Sequence, residues 1–199
     1  MDSQQKGRYA SVSRTTNETD VRIELCLDGG ACDIATGVGF FDHMLNAFAR
    51  HGKFGLVAQV KGDLQVDAHH SVEDAGIVLG KAFAQALGDK AGIRRFGHAF
   101  VPMDEALVMA AVDISGRGQA FYEVPVRLER VGDFDTQLAK EFFLAFAREA
   151  GLTLHVRLIC GDNAHHVIEA AYKACGRALR EAVEFDAREE GVPSTKGVL

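Results

Sequence analysis

His69-His70-Ser71-Val72-Glu73 recurs 96 residues later as His165-His166-Val167-Ile168-Glu169, with two histidines and a glutamate at the same spacing. If each copy opens a helix, the two imidazoles of a pair diverge by roughly 100°. The glutamate, three and four positions further on, then shares a flank with both histidines. One helix end can therefore give ligands to two different metal ions. A single pair is more often a helix cap, but imidazoles and carboxylates repeated together favour a metal site.

The likeness extends along the chain and indicates an internal duplication. Ala47-Phe48-Ala49-Arg50 recurs 98 residues later as Ala145-Phe146-Ala147-Arg148, and Gly62-Asp63 recurs 99 residues later as Gly161-Asp162. The residues after each histidine pair match as well, with Ala75, Gly80, Lys81, Ala82 and Ala86 corresponding to Ala171, Gly176, Arg177, Ala178 and Ala182. We therefore predict two similar halves, residues 1–92 and 93–199, that form one compact catalytic unit.

Hydrophobic periodicity predicts a similar order of strands and helices in each half. The first half is expected to have strands at 9–16, 19–27 and 56–60, and helices at 42–50 and 71–87. Asp42 is the expected N-cap of its helix, and Gly88 the expected stop of the next. The second half is expected to have strands at 100–112, 119–129 and 153–159, and helices at 135–149 and 166–185. Mixed strands and helices in two similar units predict an α+β fold.

The overall composition is that of an ordinary globular protein. The 22 basic and 28 acidic side chains give a formal charge of 22 − 28 = −6, which indicates neither nucleic acid nor an anionic membrane as a partner. No apolar run approaches a membrane span, and the polar segment 1–8 lacks the apolar core of a signal peptide. The four cysteines show no CxxC spacing and are interpreted as reduced thiols. A cytoplasmic protein is predicted.

Six of the eight histidines are candidate metal ligands. His155 lies on a predicted strand just before the second pair, and His43 lies at a predicted helix start. His51 and His98 are interpreted as structural or surface residues. Six histidines and two glutamates divide into two sets of three imidazoles and one carboxylate, with positions left open for water or substrate, as in catalytic sites. Imidazoles alone suggest zinc, iron or nickel, whereas carboxylate and water favour manganese.

Three basic or hydroxyl-containing stretches are candidate anion sites. They are Arg94-Arg95-Phe96-Gly97, Ser115-Gly116-Arg117, and the C-terminal segment 191–197 with Ser194, Thr195 and Lys196. Backbone N–H groups, hydroxyls and cationic side chains of this kind hold phosphate. The pattern is weak by itself, because a Ser-Thr-Lys sequence near a terminus is usually solvated.

These motifs resemble the imidazoleglycerol-phosphate dehydratase family of histidine biosynthesis. The matching segments run nearly end to end and include the following stretches: 14–19, 36–45, 62–63, 67–74, 102–107, 113–117, 153–155, 161–169 and 193–196. The resemblance implies two duplicated halves with helices bundled between two four-stranded mixed sheets. It also implies trimers that assemble into a homo-oligomer of 24 subunits, with active sites between subunits and two Mn²⁺ per active site.

The resemblance also implies a role for particular residues. The metal ligands would be His43, His69, His70, Glu73, His155, His165, His166 and Glu169. The substrate contacts would be Glu18, Arg95, Arg117, Lys173, Ser194 and Lys196, and the catalytic carboxylates Glu18 and Glu169. The chain departs from the family pattern at Gly118-Gln119, where a proline-led stretch is usual, which is expected to affect strand geometry more than chemistry.

The implied reaction removes water from imidazole glycerol phosphate to give imidazole acetol phosphate. The hydrogen lost from C2 is not acidic, so a simple base would fail. A metal-bound imidazolate can push electrons to expel the C3 hydroxyl, and a second metal can activate the C2 hydroxyl. Two other classes of function stay open at this point. They are a dinuclear metallohydrolase of a phosphate ester or amide, and a non-enzymatic metal-binding shell protein.

Overall fold

A computed structural model describes residues 7–199, so the first six positions of the predicted half 1–92 and of the polar segment 1–8 lie outside the described residues. The first half contains β1 (Tyr9–Thr15), β2 (Thr19–Cys26), β3 (Cys32–Ala35), α1 (Gly39–Gly52), β4 (Gly55–Gly62) and α2 (His69–Leu87). The second contains β5 (Phe96–Met103), β6 (Ala106–Asp113), β7 (Gln119–Glu123), β8 (Arg130–Val131), β9 (Phe134–Asp135), α3 (Leu138–Ala150), β10 (Thr153–Cys160) and α4 (Ala164–Val183). The α+β fold class is confirmed.

The two four-stranded sheets have the same topology. The strand orders are β1-β2-β4-β3 and β5-β6-β10-β7. In each sheet the last pair is parallel and the others are antiparallel. The predicted duplication is therefore present in the architecture, while the division at residues 92 and 93 stays a prediction.

The helices lie between the sheets, and each long helix packs across the boundary between the halves. Helix α2 lies on β1 and β2 and packs against α3, while α4 lies on β5 and β6 and packs against α1. The core between them is rich in fully buried aromatic side chains, among them Phe48, Phe142, Phe146 and Tyr172. No helix within residues 7–199 is both long and apolar enough to cross a membrane.

Two glycines at matching positions let these helices approach closely. A Cβ on Gly80 of α2 would lie 2.6 Å from the Phe146 carbonyl oxygen of α3, and one on Gly176 of α4 would lie 2.4 Å from the Phe48 carbonyl oxygen of α1. Phe48 and Phe146 are the phenylalanines of the repeated Ala-Phe-Ala-Arg segment. The repeated segments and the repeated glycines thus form two equivalent helix crossings.

We expect Gly176→Ala to destabilise the protein by about 2 kcal/mol, since the added methyl group forces α1 and α4 apart in a packed core. The thermal unfolding midpoint should fall by roughly 5 °C for a chain of this size. Gly39→Ala is the matched control, because a Cβ at Gly39 meets nothing within 4 Å. Equal unfolding midpoints for the two variants would contradict the close crossing.

Several predicted boundaries were wrong, and each has a local cause. The predicted strand 100–112 is two strands joined by a turn in which Asp104 has a positive φ of 49°. The predicted strand 119–129 ends at residue 123, and the predicted helix 135–149 begins at residue 138. Asp42 is not an N-cap, since α1 begins three residues earlier and the Asp42 carboxylate accepts from the Thr36 N–H and hydroxyl. Strand β3 was not predicted.

The halves differ in the connection that precedes their first helix. Three residues, 36–38, join β3 to α1, whereas fourteen, 124–137, join β7 to α3, so the second half has 14 − 3 = 11 more. The longer connection carries the β8–β9 hairpin. Phe134 of this hairpin is buried against Phe40 and Phe41, with ring centroids 5.2 Å and 6.2 Å away. The hairpin therefore packs over the start of α1, the helix that carries His43.

Candidate metal centre

Three predicted ligands from two helices converge in this chain. His43 lies on α1, and His165 and Glu169 lie on the first turns of α4, which packs against α1. The Nε2 atoms of His43 and His165 lie 3.2 Å and 3.1 Å from Glu169 Oε2. One ligand atom from each residue lies within 4.8 Å of the others. We call these three residues the central cluster.

Lys173 completes the surroundings of the Glu169 carboxylate. Its Nζ lies 2.7 Å from Glu169 Oε1, one helical turn along α4. Burial alone would raise the pKa of Glu169, but the hydrogen bond and charge of Lys173, together with the contact from His43, hold that pKa below its ordinary value. Glu169 is only 6% exposed, so the chain keeps a charged carboxylate in a buried position. Such a carboxylate needs cationic partners, and Lys173 and a metal ion are both suited to that role.

The donor set of the central cluster fits a divalent metal ion. Manganese, iron and zinc all bind imidazole nitrogens and carboxylate oxygens, and the carboxylate supplies one negative charge to the cluster.

The cluster opens onto a cavity of about 680 Å³ whose wall includes Asn46, His51 and Lys173. Burial lowers the pKa of His51, and the charges of Lys173 and Arg177 lower it further. His51, interpreted from sequence as structural or surface, therefore lines this cavity as a neutral imidazole.

The glutamate of each repeated motif contacts the first histidine of its pair. His69 Nε2 lies 3.7 Å from Glu73 Oε2, which corresponds to the contact between His165 and Glu169. The rings within the two pairs are inclined by 78° and 75°. The two histidines of each pair also contact different carboxylates, as expected for side chains that diverge. The glutamate makes its ion-pair contact with the first histidine of each pair, at the i, i+4 spacing. That it shares a flank with the second histidine as well stays a prediction.

The second histidine of each pair contacts a different carboxylate, which sequence reasoning missed. His70 Nδ1 lies 3.0 Å and 3.1 Å from the two carboxylate oxygens of Asp63, and 3.9 Å from Glu18 Oε2. His166 Nδ1 lies 2.8 Å from Glu105 Oε2. These hydrogen bonds raise the pKa of both imidazoles above the ordinary value. The repeated Gly-Asp motif marked Asp63 in the sequence. Glu105 was marked only by the matching segment 102–107, inside a predicted strand.

The predicted phosphate contacts gather at the other end of the second sheet. Arg95 donates to the Asp113 carboxylate and to the Pro193 carbonyl, which brings the C-terminal segment beside it. Arg117 lies 3.6 Å from the same Asp113 carboxylate, and the Lys196 N–H donates to Ser194 Oγ. A Cβ on Gly118 would lie 2.3 Å from the Arg148 carbonyl oxygen, so the departure from the family pattern coincides with a close backbone approach.

His155 is separate from the other predicted ligands of the chain. It is exposed on the outer face of the second sheet and stacks on Phe121 with ring centroids 4.5 Å apart. It lies two residues beyond Thr153, whose hydroxyl is 2.9 Å from that of Ser115. Within the chain His155 therefore belongs with the predicted phosphate contacts and not with the central cluster.

The two groups lie at opposite ends of α4. The Arg95 N–H donates to the Ala182 carbonyl near the end of α4, whereas His165 is on its first turn. The 182 − 165 = 17 residues between them span about 25 Å along a helix. The expected substrate, imidazole glycerol phosphate, is about eight bonds long, and with bond lengths like those of the backbone it reaches roughly 10 Å. One small substrate therefore does not contact both groups of the same chain.

The whole chain is similar to one family. The family model for imidazoleglycerol-phosphate dehydratase matches residues 36–179. A relative of that name from Thermoanaerobacter pseudethanolicus is 58% identical over 193 residues, which cover 96% of this chain and 100% of the relative. Another from Methylobacterium radiotolerans is 57% identical over 194 residues, with 96% and 100% covered.

Two solved structures have the same fold. The crystal structure of imidazoleglycerol-phosphate dehydratase from Staphylococcus aureus superimposes with a TM-score of 0.82 at 40% identity, covering 89% of this chain and 99% of that one. The Pyrococcus furiosus structure, in complex with (S)-C348, also has a TM-score of 0.82 at 40% identity, covering 94% and 100%.

Proposed function

This chain belongs to the imidazoleglycerol-phosphate dehydratase family of hydro-lyases, and on that basis we propose that it converts imidazole glycerol phosphate to imidazole acetol phosphate at a dinuclear manganese site. The observation that carries the proposal is the convergence of His43, His165 and Glu169 beside a cavity. The proposed setting is histidine biosynthesis in the cytoplasm.

The predicted ligands divide into sets that suit two ions. The central cluster supplies two imidazoles and one carboxylate, and the matching flank of α2 supplies His69 and Glu73. His70, His166 and His155 remain to complete the two sets. When bound, manganese supplies Lewis-acid activation of the substrate's imidazole and hydroxyl groups.

The chain's own residues supply proton transfer and orientation. Glu169 has a lowered pKa and therefore carries a charged carboxylate that can accept a proton. Glu18 is exposed beside His70, where a bound substrate can reach it. Lys173 holds the other oxygen of Glu169 and lines the same cavity, so it can donate to a substrate oxygen while it keeps Glu169 oriented.

Incubation of the purified, manganese-loaded protein with imidazole glycerol phosphate tests the proposal. We expect a ketone product and no release of inorganic phosphate. Phosphate release without a ketone would instead support a dinuclear metallohydrolase. Metal binding without either product would support a metal-binding shell protein.

The proposed active site is shared between chains, and we propose a homo-oligomer of 24 subunits built from trimers. The rise of α4 puts the phosphate contacts about 25 Å from the central cluster, and this distance supports a shared site.

The outer faces of the two sheets give further support to an assembly of several chains. That of the first sheet is polar, with Ser11, Ser13, Arg22 and Gln59, whereas that of the second exposes Phe96, Phe100, Phe121 and Ile159 at 58%, 60%, 47% and 49%. An exposed apolar patch of this kind is typical of an interaction surface.

Metal removal is expected to reduce the size of the assembly. An ion bound by residues of two chains binds only the assembled state, so it stabilises that state by mass action. We expect chelated protein to fall to trimers and manganese to restore the large particle, as measured by light scattering. A particle that keeps its full mass after the metal has been removed would show that apolar contacts alone hold it together.

Acid should act in the same way as the chelator. The raised pKa values of His70 and His166 mean that protons compete with metal at a higher pH than for an ordinary histidine. Dissociation should therefore occur at a higher pH than ordinary histidine ligands would give, and added manganese should move it to lower pH.

Loss of the Lys196 ammonium group should weaken substrate binding more than it slows the chemistry. The phosphate is remote from the bonds that change, so Lys196→Ala is expected to raise KM by about tenfold or more, with a smaller fall in kcat. Inhibition by free phosphate should weaken in parallel. Lys81→Ala, an exposed change on α2, is the control. An unchanged phosphate inhibition constant in Lys196→Ala would place the ammonium group elsewhere.

A further inference from the structure

The duplication makes it possible to compare the carboxylates around the two second histidines position by position. Glu18 and Glu105 correspond, because each directly precedes the second strand of its sheet. Asp63 and Asp162 correspond, because each follows the glycine of the repeated Gly-Asp motif. Each half therefore has a corresponding pair of carboxylates near one imidazole. In the second half Asp104 is a further neighbour, with its Oδ2 3.5 Å from His166 Nε2.

The halves use different members of this pair of carboxylates. In the first half, His70 Nδ1 contacts Asp63 at 3.0 Å, while the nearest Glu18 oxygen is 3.9 Å away. In the second half, His166 Nδ1 contacts Glu105 at 2.8 Å, and exposed Asp162 is not among its partners within residues 7–199. The first half therefore uses the aspartate of the Gly-Asp motif to contact its histidine, and the second half uses the glutamate before its second strand.

Glu105 is also held from its second oxygen. Its Oε1 accepts the Asn163 N–H at 3.0 Å, and the Asn163 side chain in turn accepts the His165 and His166 N–H groups at the start of α4. Glu105 is exposed, and an exposed glutamate that accepts two hydrogen bonds is ionised at neutral pH. One carboxylate thus joins the turn after β5 to the cap of α4 and to the His166 ring.

A charged carboxylate accepts hydrogen bonds and cannot donate them, so its contact with Nδ1 places the proton of a neutral imidazole on that atom. The lone pair is then on Nε2, and the ring is fixed in direction as well as in tautomer. Metal-binding histidines are commonly oriented by a carboxylate in this way, and the loss of such a partner typically costs about 10- to 100-fold in metal affinity.

We propose that Glu105 is the positioning residue of His166 and that it directs the Nε2 of this ring toward the metal. Asp63 has the same role for His70. Glu18 is therefore not needed to orient His70 and is free to act on the substrate. This inference rests on the proposed manganese site. It assigns the two corresponding glutamates, Glu18 and Glu105, to different tasks in one reaction.

The first test measures the tautomer of His166 in metal-free protein by ¹⁵N NMR of the imidazole. We expect the wild-type ring to carry its proton on Nδ1 at pH 8 or so, where the neutral form is populated. Glu105→Ala should shift the population toward the Nε2-protonated tautomer, and Glu105→Gln, which keeps a neutral acceptor, should shift it less. A wild-type ring protonated on Nε2 would overturn the proposal, whatever the metal measurements give.

The second test is a manganese titration followed by electron paramagnetic resonance of the free ion. Glu105→Ala should weaken the affinity of one of the two ions by about 10- to 100-fold, with kcat largely recovered at saturating manganese. Asp162→Asn is the matched control and should bind as the wild type does. Equal affinities in Glu105→Ala and wild type, or an equal loss in Asp162→Asn, would overturn the proposal. Wild-type protein that binds no manganese would instead refute the proposed function, and the tautomer measurement would still decide the role of Glu105.

Discussion

His166→Ala and His70→Ala are each expected to lower kcat by a factor on the order of 10³ or more at saturating manganese. Each change removes an imidazole from the metal-binding set, and the charge stabilisation that the ion gives to the reacting oxygens is worth several kcal/mol. Each substitution also leaves a carboxylate without its imidazole partner, Glu105 in His166→Ala and Asp63 in His70→Ala. Kinetics and bound manganese should be measured on the same samples.

Lys81→Gln is the control for the histidine variants. Lys81 is exposed on α2 and is not a predicted ligand. Turnover close to that of wild type is expected. Near-normal turnover in His70→Ala or His166→Ala would mean that the residue is not a ligand.

Glu169→Gln should be about as damaging, and for more than one reason. The substitution removes the only charged ligand of the central cluster. It also removes the proposed proton acceptor, a role that typically contributes a factor of about 10² to 10⁴. It also leaves the partly buried Lys173 ammonium group without the negative charge that lies 2.7 Å away in the wild type. We expect kcat to fall by about 10³ or more, together with weaker manganese binding.

A pH profile distinguishes the two losses at Glu169. If Glu169 accepts a proton, the acidic limb of kcat against pH that reports its ionisation should disappear in Glu169→Gln even at saturating manganese. Glu129→Gln, an exposed change in the long connection before α3, should leave the profile unchanged. A variant that keeps both the limb and the rate would exclude Glu169 from catalysis.

The duplication and the fold class could be predicted from sequence because their signals are repeated. Two copies of the paired-histidine motif and two Ala-Phe-Ala-Arg segments mark equivalent places, and the helices between them have strong apolar patterns. Strand β3 had no such signal, since Cys32-Asp33-Ile34-Ala35 contains few large apolar residues and pairs only with β4 at the sheet edge. Apolar residues on both sides of Asp104-Glu105 concealed the turn between β5 and β6.

The structure brings three of the predicted ligands together, and their role as ligands stays a prediction. The partners of the second histidines do not follow from the motif. The spacing within a helix fixes His165 beside Glu169, because i and i+4 residues share a face. The contact between His166 and Glu105 joins residues 61 positions apart, so it depends on how β5 and β6 turn beside α4. Local periodicity holds no information on that approach.

The crossings of α1 with α4 and of α2 with α3 bear on the ancestry of the chain. Each crossing joins one half to the other, and the two are equivalent, so two identical half-length chains would meet as an isologous dimer with twofold symmetry. A half-length ancestor of this kind would have had to dimerise to bury its helices. Fusion of its two copies into one gene would have released them from identity. A connection eleven residues longer, an apolar sheet face and a different role for one glutamate could then each arise in a single half.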